Sequence, residues 1–186
     1  MLTRKKLSLI ISDEKVYFNN TVGDISAVNI NNGKLIWQTP TQDSSIYESS
    51  FQLKTSDLIV SNKSILFSNN MNEFYSLDVK TGTLIWQQKI NSIVRPTVVN
   101  NFVFTVTEEG FLVIIEFETG NIIRITNVFD RIKEKKRSSI KPIGFVVGSK
   151  NIYLTTSNGR LILINISTGK PILMIKVDNK NISIPF

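Results

Sequence analysis

Residues Asn72 to Gln87 read NEFYSLDVKTGTLIWQ. Tyr75, Leu77 and Val79 alternate with Ser76 and Asp78, the period of two that marks a β-strand. Thr81-Gly82 then supplies a turn, because glycine takes a positive φ without steric cost. Leu84-Ile85-Trp86 resumes the apolar pattern, so the stretch is a strand, a turn and a second strand ending at a tryptophan.

Weaker copies occur elsewhere. Aligned on the turn glycine, they are ISAVNINNGKLIWQ (25–38), FYSLDVKTGTLIWQ (74–87), LVIIEFETGNIIRI (112–125) and LILINISTGKPILM (161–174). The glycines are Gly33, Gly82, Gly120 and Gly169, spaced 49, 38 and 49 residues apart. Four residues before each stands Asn29, Asp78, Glu116 or Asn165, and four after it Trp37, Trp86, Arg124 or Leu173. Each copy follows a strand signal (Lys15–Phe18, Ser64–Ser68, Phe102–Val106, Ile152–Thr156) joined to it by a short turn rich in Gly, Asn and acidic residues. A further apolar segment lies upstream of each: Leu7–Ile11, Asp57–Val60, Thr97–Val99 and Gly144–Val147.

Four short antiparallel strands recurring every 45 residues or so have the size of a propeller blade. One small twisted sheet cannot bury both faces, whereas neighbours stacked about an axis can. The sequence therefore predicts an all-β protein, a β-propeller of four-stranded antiparallel blades over about 7–38, 57–90, 96–129 and 142–177. On this reading 1–186 is one domain, and Leu35, Ile36, Leu84, Ile85, Ile122, Ile123 and Ile172 are packing between blades. Val94-Arg95-Pro96 and Ile140-Lys141-Pro142 open the later blades, and 182–186 (ISIPF) opens a further one. The four blades are expected to be an arc of a larger, eight-bladed propeller, with the chain a fragment.

Composition narrows the chemistry. The 186 residues contain no cysteine and no histidine. That excludes disulfides, thiolate metal sites and a cysteine nucleophile, and removes the commonest general base and zinc ligand. The formal charge is +7, with Lys and Arg spread along the chain. The start, MLTRKKLSLIISDEK, has the basic opening of a signal peptide, but its apolar run is too short and no cleavage site follows.

SLDVKTGTLIW resembles the repeat of the PQQ-like β-propellers, which include quinoprotein alcohol dehydrogenases and non-catalytic relatives. In that pattern a small residue is followed by Asp, Gly and Trp. Ser76, Asp78, Gly82 and Trp86 match it, as do Ala27, Asn29, Gly33 and Trp37 with Asn for Asp. Gly120 and Gly169 keep the turn, while Arg124 and Leu173 depart from the Trp. The resemblance implies that Trp37 and Trp86 dock between blades through the indole N–H. Within the family the chain is most similar to the BamB-type scaffolds. This implies a bacterial, periplasmic, outer-membrane-associated protein that binds the β-barrel assembly subunit and helps insert barrel proteins. A lipid-accepting cysteine and further blades, which such scaffolds carry, are expected to have been lost by truncation.

The resemblance implies no catalytic residue, cofactor or metal, and no nucleic-acid partner. Its alternatives are a fragment of a PQQ- and calcium-dependent dehydrogenase, or a propeller sensor domain. The repeat carboxylates Asp78 and Glu116 read as turn-closing acceptors. Two long links remain as binding candidates. Residues 39–56 carry Tyr47 and Phe51, aromatics that either anchor a partner or fold back on the blade. Residues 130–142 (DRIKEKKRSSIKP) carry six basic and two acidic residues. There Arg131, Lys133, Lys135, Lys136 and Arg137 either meet an acidic partner or form a solvated loop.

Overall fold

The computed structural model describes residues 7–20, 23–41, 53–179 and 183–185. Among these residues are sixteen strands and one helical turn, in four sheets of four antiparallel strands. The first sheet is β1 (Leu9–Ser12), β2 (Lys15–Asn19), β3 (Ile25–Asn29) and β4 (Leu35–Thr39). The second is β5 (Ile59–Ser61), β6 (Ser64–Ser68), β7 (Phe74–Asp78) and β8 (Leu84–Gln88). The third is β9 (Thr97–Val99), β10 (Phe102–Val106), β11 (Phe111–Glu116) and β12 (Ile122–Asn127). After α1 (Glu134–Arg137) come β13 (Pro142–Val147), β14 (Asn151–Thr156), β15 (Arg160–Asn165) and β16 (Pro171–Lys176). Strands pair in sequence order within every sheet, the meander of a propeller blade.

The chain divides into two compact units, Met1–Ile93 and Val94–Phe186. In the first, Tyr17, Ile25, Ala27 and Trp37 from one sheet pack on Leu58, Ile65, Phe67, Tyr75, Leu77 and Val79 of the other. In the second, Phe104, Val106, Leu112 and Ile114 pack on Phe145, Ile152, Leu154, Ile162 and Ile164.

All four sheets share an irregularity between the third and fourth strands. The register shifts at Ala27/Val28, Ser76/Leu77, Ile114/Ile115 and Leu163/Ile164. One residue of the fourth strand is left over each time: Ile36, Ile85, Ile123 or Ile172. Such a bulge interrupts the strict alternation of faces. Leu84 pairs with Leu77 but Trp86 with Ser76, so the two side chains point to opposite faces of the sheet.

The bulge also corrects the expected packing role of the apolar pair after each glycine. Leu35, Ile36, Leu84, Ile85, Ile122, Ile123 and Ile172 are all exposed, from 39% to 59%. They sit on the fourth strand, which has a neighbour on one side only, at the register shift. The next residue is the buried one: Trp37 and Trp86 are 9% and 7% exposed, and Trp37 packs on the second sheet.

Candidate functional site

The repeat motif closes on itself. Asp78 Oδ1 accepts from the Lys80 and Thr81 amides at 2.8 Å each and from the Thr81 hydroxyl at 3.0 Å. Asn29 Oδ1 accepts from the Asn31 and Asn32 amides, and Asn165 Oδ1 from the Thr168 amide. Glu116, one methylene longer, takes only the Thr119 hydroxyl at 2.6 Å. The Gly82 amide donates to the Asp78 carbonyl at 2.8 Å, and the other three glycines repeat this bond. Glycine is required there, since φ is +67 to +75° at all four. The Thr81 amide, and then Lys80 and the Thr81 hydroxyl, hold the Asp78 carboxyl below its ordinary pKa despite an opposing effect of burial. These bonds use the carboxylate within its own turn.

The glycine has a second role that its turn does not explain. A Cβ on Gly82 would lie 2.5 Å from Trp37 Cε3 and 2.7 Å from Thr39 Oγ1. The indole of the first sheet therefore lies directly on the turn of the second. Its Nε1 donates to the Val79 carbonyl at 3.3 Å, and the Tyr17 hydroxyl donates to the same oxygen at 3.2 Å. The Thr39 hydroxyl donates to the Gly82 carbonyl at 2.7 Å. Burial, and then Asp13 and Asp78, raise the Tyr17 pKa, so its hydroxyl remains a donor.

Arg124 and Thr126 meet Gly169 in the same way. A Cβ on Gly169 would be 2.7 Å from Thr126 Oγ1 and 3.2 Å from Arg124 Cδ. Arg124 Nη1 donates to the Ser167 carbonyl. Thus the side chains four and six residues after one glycine cover the next sheet's glycine, through an indole in the first unit and a guanidinium in the second. The residue beneath changes in step: Ala27 lies opposite Trp37 and Ser76 opposite Trp86, but Ile114 opposite Arg124 and Leu163 opposite Leu173. Trp86 itself tilts against Phe74, with ring centroids 5.6 Å apart.

The basic link is tied to the core by two apolar side chains. Ile132 and Ile140 are buried in the core of the second unit. Arg137 donates through Nε to the Ile132 carbonyl at 2.8 Å and through Nη2 to the Asp130 carbonyl at 2.9 Å. Arg131 Nη1 donates to the Ile172 carbonyl at 2.8 Å. Both arginines are thus tied to the fold. Lys133, Lys135 and Lys136 are exposed on and beside the single turn of α1. Tyr47 and Phe51 lie outside the described residues.

A cleft of about 340 Å³ opens in the first unit between Thr39, Pro40, Thr41, Glu73, Tyr75 and Gln87. The Tyr75 hydroxyl donates to the Thr41 carbonyl at 2.8 Å, and its pKa is raised by burial and then by Glu73. No group of three or more acidic side chains that could hold a metal ion exists among the described residues.

A family model described as outer membrane protein assembly factor BamB matches residues 1–126. The chain belongs to this family. BamB from Moraxella catarrhalis superposes with a TM-score of 0.70 at 17% identity, over 92% of this chain and 51% of that one. The β-propeller domain of Cps50 (Swd1) from Myceliophteria thermophila gives 0.72 at 10% identity, over 95% and 56%. Quinohemoprotein alcohol dehydrogenase from Comamonas testosteroni gives 0.67 at 14%, over 94% and 35%. At these identities the likenesses establish the β-propeller fold alone. This BamB-family chain spans about half the length of the first of these relatives. No curated protein sequence matches it.

Proposed function

We propose that the chain is a non-catalytic interaction scaffold of BamB type, acting in the assembly of outer-membrane β-barrel proteins at the periplasmic face of that membrane. The observation that carries this reading is the family match over residues 1–126. The chemistry agrees with it. Asp78, Asn29, Gly33, Gly82, Gly120, Gly169 and Trp37 make turns and sheet-to-sheet contacts, which leaves the links to meet a partner. Lys133, Lys135 and Lys136, on a turn anchored by Arg131 and Arg137, offer cations to an acidic protein surface. Tyr47 and Phe51 are the proposed apolar anchors of the other link. No helix among the described residues is long and apolar enough to cross a membrane, so membrane association would come through a lipid anchor or the partner.

We further propose that all four blades belong to one propeller that continues into another blade near 182–186. Ile184 packs on Gly144, 2.8 Å from where a Cβ would stand. Gly144 occupies the place of Ser8 in the first blade, whose hydroxyl accepts from the amide of Leu58 in the next.

Capture on the purified barrel-assembly subunit tests the scaffold. Binding should occur, weaken with salt, and fall several-fold in a Lys133/Lys135/Lys136→Glu variant. No binding by the chain extended to its full reading frame would overturn the reading. The likeness to the Comamonas dehydrogenase supports a second reading, a dehydrogenase-type fragment. That reading requires stoichiometric quinone absorbance after addition of PQQ and calcium.

A further inference from the structure

The cleft of the first unit is one-sided in its hydrogen bonding. The Thr39 hydroxyl donates to the Gly82 carbonyl at 2.7 Å, and the Thr41 hydroxyl to the Gly23 carbonyl at 2.7 Å. The Tyr75 hydroxyl donates to the Thr41 carbonyl at 2.8 Å. A hydroxyl has a single proton, so these three oxygens can meet a ligand only as acceptors. Pro40, between the threonines, has no amide proton. Glu73 adds a carboxylate, and no lysine or arginine is among the described residues that line the cleft. Of the described side chains there, Gln87 alone still has N–H groups to offer.

The carboxylate is held in place. Asn69 is 1% exposed, and its Oδ1 accepts from the Met71 and Glu73 amides at 2.8 and 3.2 Å. Its Nδ2 donates to Glu73 Oε2 at 2.8 Å. A carboxylate has about four acceptor positions, so this bond fixes Glu73 and leaves it capacity for a ligand.

The second unit shows what shape fits this place. Glu73 stands nine residues before Gly82 and Gln87 five after it, and Arg160 and Met174 stand at the same distances from Gly169. The strand register agrees, since Tyr75 pairs with Gln87 and Ile162 with Met174. Arg160 Nη1 donates to Met174 Sδ at 3.2 Å. The second unit thus lays a guanidinium of its own over this part of the sheet. The first unit has a carboxylate where that arginine begins, and a cleft of about 340 Å³ beside it.

We propose that this cleft recognises a guanidinium on an aliphatic stem, the arginine side chain of a protein partner. Its planar fork carries five donors, which matches a carboxylate and several hydroxyl oxygens better than a compact ammonium does. Leu84, 53% exposed, receives the stem. Gln87 is exposed as well, so the cleft is open along its rim, as a side chain still attached to a partner's backbone requires. The site goes beyond the scaffold reading and does not rest on it, because neither the barrel-assembly subunit nor the lysines of the basic link take part.

Titration of the 186-residue chain with butylguanidinium chloride, followed by amide resonances at constant ionic strength, tests this. A small monocation should bind with a Kd on the order of 1 mM. Saturable shifts are expected at Thr39, Thr41, Glu73, Tyr75 and the Gln87 side-chain amide. Butylammonium should bind several-fold more weakly. Acetyl-Gly-Arg-Gly-amide should bind at least as tightly as butylguanidinium. Glu73→Gln keeps an acceptor for Asn69 and should weaken binding about tenfold or more by removing the charge. Gln87→Lys changes an exposed residue and should abolish binding, and circular dichroism checks that both variants fold. No saturable shift at these residues, equal binding of butylammonium, or unchanged affinity in a folded Glu73→Gln or Gln87→Lys variant would overturn the proposal. Binding of butylguanidinium without binding of the peptide would overturn the assignment to a partner's arginine.

Discussion

The two sheet-to-sheet joints, one in each compact unit, use the same socket and fill it differently. In the first unit Trp37 lies flat on Gly82, is 9% exposed and shares the Val79 carbonyl with Tyr17. In the second, Arg124 lies over Gly169, is only half-buried and reaches the Ser167 carbonyl. A tryptophan contributes mainly through buried area, an arginine through a charge-assisted hydrogen bond and its aliphatic stem. The lesson is that the backbone socket, a positive-φ glycine with free carbonyls around it, is the invariant part of the repeat. The side chain that enters it can change if the residue beneath changes volume, as from Ala27 to Ile114.

The largest effect on either joint should come from Trp37→Ala. It removes a buried aromatic and orphans the space over Gly82, at a cost of about 3–5 kcal/mol. Denaturant unfolding followed by Trp86 fluorescence, whose reporter is in the same unit, measures it. Arg124→Ala should cost about 1 kcal/mol, since the lost bond is partly solvated. Hydrogen exchange followed by mass spectrometry separates the two. The first variant should speed exchange in β7–β8, the second in β15–β16, and a variant that speeds both equally would mean the joints are not local.

A smaller effect distinguishes the turns. The folded pKa of Asp78 is depressed by amide donors, so its stabilising contribution is complete above its unfolded pKa and is lost as pH falls through the folded value. The amide resonances of Lys80 and Thr81 should therefore titrate with a midpoint below that of an ordinary aspartate. Those of Asn31 and Asn32, bound to the uncharged Asn29, should show no such step. Asp78→Asn should abolish the step at residues 80–81 and leave the turn folded.

The blade architecture was legible because period-two alternation and recurrent turn glycines are local properties of the sequence. Trp37 could be singled out by its position after Gly33, and the likeness to known repeats suggested a docking role. The equal role of Arg124 could not be read, because an arginine in that position looks like an ordinary surface charge. Thr39 and Thr126 were also missed, although both stand six residues after a turn glycine, a signal present in two of the four copies. The exposure of Leu35, Ile36, Leu84 and Ile85 was misread for a different reason. A one-residue bulge shifts which side chain faces the neighbouring sheet, and nothing in the apolar pattern reveals it. In the basic link, six cations in thirteen residues read either as a contact for an acidic partner or as a solvated loop, and the charges hid that Ile132 and Ile140 are buried in the core.

A turn glycine is required twice over where the neighbouring sheet covers it, as at Gly82, and once where no described residue does, as at Gly33. Gly82→Ala and Gly33→Ala make the same chemical change at nearly the same φ, +72° and +67°. Each incurs roughly 1–2 kcal/mol for a left-handed alanine. Gly82→Ala should add about 1–3 kcal/mol from overpacking against the indole. The decisive measurement is the difference in unfolding free energy between these two variants, repeated in a Trp37→Ala background. Gly82→Ala should be the more destabilising by about 2 kcal/mol, and the gap should close when the indole is removed. Equal costs in the wild-type background, or a gap that survives Trp37→Ala, would contradict it.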